Sequence, residues 1–142
     1  MPTLYSSRQS TLSIVDAAGT ARVLTPYVLS IDGIPGEREL LDVTALGDVG
    51  HRWLPDLQNG RVTIELLWSD DAGTGSETVF GGLFTDTTAR ALTFGPRGSG
   101  SGNRQWLGNV FVRLLNQPSR VGNALHAMVE VNVDGTWTRG TF

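Results

Sequence analysis

The 142-residue sequence contains no cysteine, no lysine and only two histidines, and each shortage removes a class of chemistry. Without cysteine there is no disulfide, no thiolate nucleophile and no cysteine-ligated zinc or iron–sulfur centre, so the fold must hold by packing. All 11 cations are arginines, scattered singly from Arg8 to Arg139, and 14 acidic residues leave a formal net charge of -3. No basic stripe forms, which argues against tight sequence-independent binding of nucleic acid, since that needs clustered cations to neutralise phosphates. No window approaches the roughly 18 uncharged apolar residues of a membrane span, and Met1 to Ser13 has no apolar core run. Neither a spanning segment nor a secretory signal is expected.

What is present is 39% hydrophobic and 18% charged, the composition of a globular chain, and the length suits one domain over 1–142. The 18 glycines and 6 prolines fall between short apolar alternations, as turns fall between strands. A mainly β domain is therefore expected, with strands at Ser10 to Val15, Arg22 to Asp32 (interrupted at Pro26) and Glu39 to Thr44. Ala45 to Gly60, containing Gly47, Gly50, Pro55 and Asn59-Gly60, reads as a long inter-strand loop. Arg61 to Trp68 has the clearest period of two, with Val62, Ile64, Leu66 and Trp68 on one face.

One flanking helix is expected next. Thr74 and Glu77 have capping-box spacing, and Val79, Phe80, Leu83 and Phe84 recur at helical intervals, although Gly81 and Gly82 weaken the helix by about 1 kcal/mol each. Strands at Ala89 to Phe94, Gln105 to Leu115 and Ala124 to Val133 follow, the last two as an antiparallel hairpin. Gly95 to Asn103 is a Gly/Ser-rich loop. Asp134-Gly135 matches a two-residue hairpin turn that folds Thr136 to Phe142 back as a final strand.

The sequence offers little for catalysis. His51 and His126 lie in unrelated contexts, and neither has a metal-ligand partner at helical or strand spacing. Asp70-Asp71 with Glu77 is wrongly spaced for a calcium loop and reads as a solvated turn before the helix. The glycine clusters match no phosphate-binding loop, because no lysine follows them. No enzyme, metal or cofactor is expected. Of the four tryptophans, Trp68 and Trp106 fit core alternation, whereas Trp53 and Trp137 lie where a surface role is natural. A carbohydrate-binding β-sandwich using Trp53 and Trp137 is one reading of that pair.

A second reading starts from the apolar content of the long loop. Leu46, Trp53, Leu54 and Leu57 are too much apolar surface for a solvated loop, and Trp53 beside Arg52 is the kind of anchor favoured at interfaces. The alternative is that the loop folds over its own core.

The segment Asp42-Val43-Thr44-Ala45-Leu46-Gly47-Asp48, then Arg52, then Leu54-Pro55-Asp56-Leu57-Gln58-Asn59-Gly60 before an alternating strand, resembles the major tail tube proteins of long-tailed bacteriophages. The later helix ending near Phe84, the strand into Phe94-Gly95-Pro96, the Gly-rich loop and Trp106 to Leu115 follow the same plan. The similarity spans about Leu29 to Val133. It implies a β-sandwich or barrel-like domain with one flanking helix, an N-terminal arm (1–13), a long stacking loop (45–60) and a C-terminal segment (134–142).

It also implies a structural virion protein, whose subunits form hexameric rings stacked into a hollow conduit for DNA delivery in a virion tail assembled in the host cytoplasm. The implied partners are copies of itself, a tape measure protein, a tail terminator and a distal tail protein, with DNA passing through unbound. A tail terminator, completion or head-to-tail joining ring is the alternative within that family of folds. Leu46, Asp48, Arg52, Trp53, Leu54, Asp56 and Leu57 become the expected inter-ring contacts. A conduit that does not retain DNA should be lined by neutral or acidic groups, and Glu65, Asn109, Glu130 and Asn132 are the lumen candidates. Arg113 falls on the same face by parity and needs an acidic neighbour to fit such a lining.

Overall fold

The computed structural model describes residues 2–142. Ten strands and one helix follow in the order β1 (Thr11–Val15), β2 (Ala21–Val23), β3 (Val28–Asp32), β4 (Glu37–Asp42), β5 (Trp53–Asn59), β6 (Arg61–Leu67), α1 (Ser76–Phe84), β7 (Arg90–Gly95), β8 (Arg104–Asn116), β9 (His126–Val133) and β10 (Thr138–Thr141). The best alternating segments become the central strands because only one of their faces can leave water. β1 buries Leu12 and Ile14, β6 buries Val62, Ile64 and Leu66, and β9 buries Ala127, Val129 and Val131.

The main sheet runs β2-β1-β7-β8-β9-β6-β3, with antiparallel pairing throughout and β10 attached to β8. It curls into an incomplete barrel. The connector after β2 binds back to β1, where the Leu24 amide donates to the Leu12 carbonyl at 2.9 Å and the Leu12 amide donates to Thr25 Oγ1 at 3.1 Å. A groove of ≈ 520 Å³ marks the open seam, lined on one side by Thr11 and Leu12 of β1 and on the other by Val28 to Ile31 of β3. The barrel-like, one-helix expectation therefore holds.

Helix α1 packs mainly on β8, and its Val79, Phe80 and Leu83 join the same apolar core. The expected Thr74–Glu77 capping box does not form. The N-cap is Gly75, where a Cβ would sit 2.5 Å from the Ser69 carbonyl oxygen and 2.6 Å from the Asp71 amide nitrogen. The chain turns too tightly there for any side chain. Buried Ser76 ties the helix to the sheet instead, donating to the Leu67 carbonyl at 2.6 Å and accepting from the Ser69 amide at 3.1 Å.

The C-terminal segment also departs from expectation. Asp134-Gly135 does not reverse the chain. Val133 pairs with Val110 and Thr138 with Leu107, so β9 and β10 run in the same direction along one side of β8, separated by a four-residue excursion. That excursion drives Trp137 into the core, where it is 7% exposed. A Cβ on Gly108 would lie 2.7 Å from the indole Cε3, and one on Gly60 would lie 2.9 Å from the indole Nε1. The two glycines are spaces shaped for one tryptophan. Trp137 is thus a core residue, contrary to its expected surface role. Of the N-terminal arm expected over 1–13, Ser10 Oγ donates to the Pro96 carbonyl at 2.8 Å, and Thr11 to Ser13 form the start of β1.

Candidate assembly surface

The expected loop at 45–60 is a hairpin for half its length. β5 pairs with β4 through Asp42↔Trp53, Leu41↔Leu54, Leu40↔Pro55, Arg38↔Gln58 and Glu37↔Asn59, forming a separate two-stranded sheet. Pro55, which lacks a ladder donor, sits where the register shifts between Arg38 and Leu40, a place where proline is tolerated. This ribbon is inserted between β3 and β6, which are themselves adjacent antiparallel strands. At its root Gly33 has φ +101, and a Cβ there would run into the Arg61 carbonyl.

The tip is fixed by local hydrogen bonds. Thr44 Oγ1 accepts from the Arg52 amide at 2.9 Å, the Val43 amide donates to the Arg52 carbonyl at 2.9 Å, and Asp48 Oδ2 accepts from the Ala45 amide at 2.7 Å. Arg52 lies 3.8 Å from Asp48, and His51 Nδ1 lies 3.3 Å from Asp42. Hydrogen bonds from Thr44, with His51 adding to them, hold the Asp42 carboxyl below the usual aspartate range.

Every residue of β4 is exposed. Leu40, Leu41, Trp53, Leu54 and Leu57 are 51%, 46%, 54%, 52% and 75% exposed, and Leu46 at the tip is fully so. Successive pairs put apolar groups on both faces of the ribbon, with Leu41 opposite Leu54 on one and Leu40 opposite Pro55 on the other. β4 and β5 pack chiefly on each other. A two-stranded ribbon with two uncovered apolar faces has little stability of its own in water. The structure brings all seven expected contact residues, Leu46, Asp48, Arg52, Trp53, Leu54, Asp56 and Leu57, into this element. Leu40 and Leu41, its other half, read in sequence as ordinary strand apolars. Only their pairing with Pro55 and Leu54 reveals them.

The second expected surface is the solvent face of β3-β6-β9-β8. Register places Asp32 beside Thr63 and Thr63 beside Glu130, Glu65 beside Met128, and Arg61 beside Asn132, which faces Phe111. Asn109 shares that face by alternation along β8. Glu65, Asn109, Glu130 and Asn132 therefore do share one face. Arg113 donates to Glu130 at 2.6 Å, which supplies the acidic neighbour its position required. His126 Nδ1 lies 3.4 Å from Glu65 Oε1. The face carries three carboxylates, Asp32, Glu65 and Glu130, against two arginines, Arg61 and Arg113. Among the described residues, no group of three or more potential ligands could hold a metal ion.

No family model matches the sequence, and no curated protein matches it. Solved structures do. A chain from the tail of an empty gene transfer agent particle, refined with C6 symmetry, superposes with a TM-score of 0.77 at 10% identity, covering 97% of this chain and 100% of that one. This chain has the tail-tube fold. The SPP1 tail tube shows the same tail-tube fold at TM-score 0.75 and 13% identity, over 96% of this chain and 79% of that chain. A chain from the sheath/tube terminator of an extracellular contractile injection system matches at TM-score 0.70 and 13% identity, covering 99% of both.

Proposed function

We propose that the chain is a tail tube subunit, a structural protein of a virion tail, whose copies form rings of six that stack into a hollow conduit for DNA. The observation that carries this reading is the β4–β5 ribbon, which exposes apolar groups on both faces of a tail-tube fold and so requires cover from outside its own chain. Leu46, Asp48, Arg52, Trp53, Leu54, Asp56 and Leu57 are its contacts with neighbouring subunits. The face bearing Glu65, Asn109, Glu130 and Asn132 lines the conduit. Its slight acidic excess and its internally paired Arg113 give DNA few cationic holds. Continuing the sheet from subunit to subunit removes the free edges of β3 and β2, which in a lone subunit would template aggregation.

The tape measure, terminator and distal tail proteins are the partners this role requires, and the role needs no bond-making site. A tube terminator is the second reading, favoured by the match over 99% of the terminator-complex chain. A glycan platform on Trp53 and Trp137 is not supported, because Trp137 is buried. Electron microscopy of concentrated protein tests the proposal. Stacked rings or tubes are expected for the native chain, and folded monomers for Trp53→Ala. A terminator would give single rings, and persistent native monomers even with tail partners supplied would refute both readings.

A further inference from the structure

Charge is segregated along this chain. The ribbon segment 37–59 carries Glu37, Glu39, Asp42, Asp48 and Asp56 against Arg38 and Arg52, whereas segments 1–15, 87–129 and 135–142 contain no acidic residue. The fold gathers parts of these three acid-free segments at one end of the domain. Arg104 pairs with Thr141 and Trp106 with Arg139 across β8 and β10. The Phe142 amide donates to the Asn103 carbonyl at 2.9 Å, Ser10 Oγ binds the Pro96 carbonyl, and the Arg97 guanidinium lies 4.3 Å from the centre of the Tyr5 ring. Arg8, Arg97, Arg104 and Arg139 are all exposed, and none forms a salt bridge among the described residues. On the ribbon, Glu37, Glu39 and Asp56 likewise lack a cationic partner there.

We propose that this arginine end is the docking surface for the acidic, apolar ribbon of a second copy, and that the match sets the polarity of assembly. The proposal rests on the tail tube reading and names the surface that the ribbon meets. The occupant follows from chemistry. Guanidinium groups are weakly hydrated, bind carboxylates in a fork and stack on aromatic faces, so one surface can take both the acids of the ribbon and its Trp53. Individually such exposed pairs contribute little, but a ring repeats them, and opposed like charges penalise the wrong orientation. Two ribbons meeting face to face would set carboxylates against carboxylates. Ribbon against arginine end is the arrangement in which both charge sets are compensated.

The test is a charge swap. In one variant Arg97→Glu and Arg104→Glu are combined, in the other Glu37→Arg and Glu39→Arg; all four positions are exposed, and circular dichroism checks folding. Sedimentation of each variant alone should show self-association weakened by about tenfold or more, while an equimolar mixture should regain it. Wild-type self-association should weaken as salt rises. Unchanged association of the arginine variant overturns the proposal, as does a mixture that gains nothing. Loss of DNA retention at unchanged association would assign the arginines to phosphate and also overturn it. Sedimentation reads the pairwise contact even where no tube grows, so this proposal and the tail tube reading fail separately.

Discussion

Replacing Trp137 by alanine tests whether the C-terminal segment is part of the core. A buried tryptophan removes about 150–250 Å² from water, and at about 25 cal/mol per Å² the burial contributes roughly 4–6 kcal/mol. Alanine keeps the backbone and Cβ, so the loss, cavity included, is about 3–5 kcal/mol. The indole N–H has no acceptor among the described residues, and releasing it returns about 1 kcal/mol. The net cost is about 2–4 kcal/mol, or roughly 8–16 °C in melting temperature at about 4 °C per kcal/mol for a domain of this size. Urea and thermal unfolding followed by circular dichroism measure it, with Trp53→Ala present to keep the protein monomeric. Trp137→Phe fills most of the same space without the unpaired donor and should cost less than about 1.5 kcal/mol. Gly108→Ala places a methyl against the indole ring and should destabilise by about 1–3 kcal/mol. A Trp137→Ala variant within about 0.5 kcal/mol of its parent would refute the burial argument.

Replacing residues 36–58 by a short Gly-Ser turn should leave the barrel folded, because β3 and β6 are already antiparallel neighbours, yet abolish self-association; an unfolded product by circular dichroism would place the ribbon in the core. Gly33→Ala should destabilise by at least about 2 kcal/mol in urea, since φ +101 is strained for a side chain and the Cβ meets the Arg61 carbonyl. Hydrogen bonds from Arg90 to Asp86 and from Arg22 to Asp16, aided by backbone amides, depress both carboxyls below their usual value of 3.8. A lowered folded-state pKa stabilises the native protein above the unfolded value, so this contribution is full above about pH 5 and is lost as pH falls through the depressed values. Asp86→Asn should therefore flatten the fall in stability between about pH 5 and pH 3, as read by thermal melts; an unchanged slope would remove Asp86 from the account. Arg113→Ala should change stability by less than about 1 kcal/mol in urea, because the pair with Glu130 is half exposed.

The sequence by itself determined the strands with a one-sided pattern. Val62, Ile64 and Leu66 had to face a core, and Val79, Phe80 and Leu83 had to form a helix stripe, because in each case local period and burial demand the same conformation. It also determined that no thiol or lysine chemistry was available, and it marked Leu46 to Leu57 as an apolar stretch with a task. Tertiary structure decided what local pattern leaves open. Trp53 to Asn59 is a strand only because Glu37 to Asp42 lies beside it, and Pro55 hides that pairing from any local rule. Asp134-Gly135 has the residues of a tight turn, but both edges of β9 are already paired, with β8 and with β6, so the chain runs on to the edge of β8 from Leu107 to Arg104. Trp137 looks like a surface residue in a polar segment until Gly60 and Gly108, 77 and 29 residues earlier, open a space for it. The four arginines of the acid-free end share no motif and are collected only by the pairing of β8 with β10 and the docking of the N-terminal residues. Period and propensity act over a few residues, whereas register, bulges and the space left by absent side chains depend on partners far away in the chain.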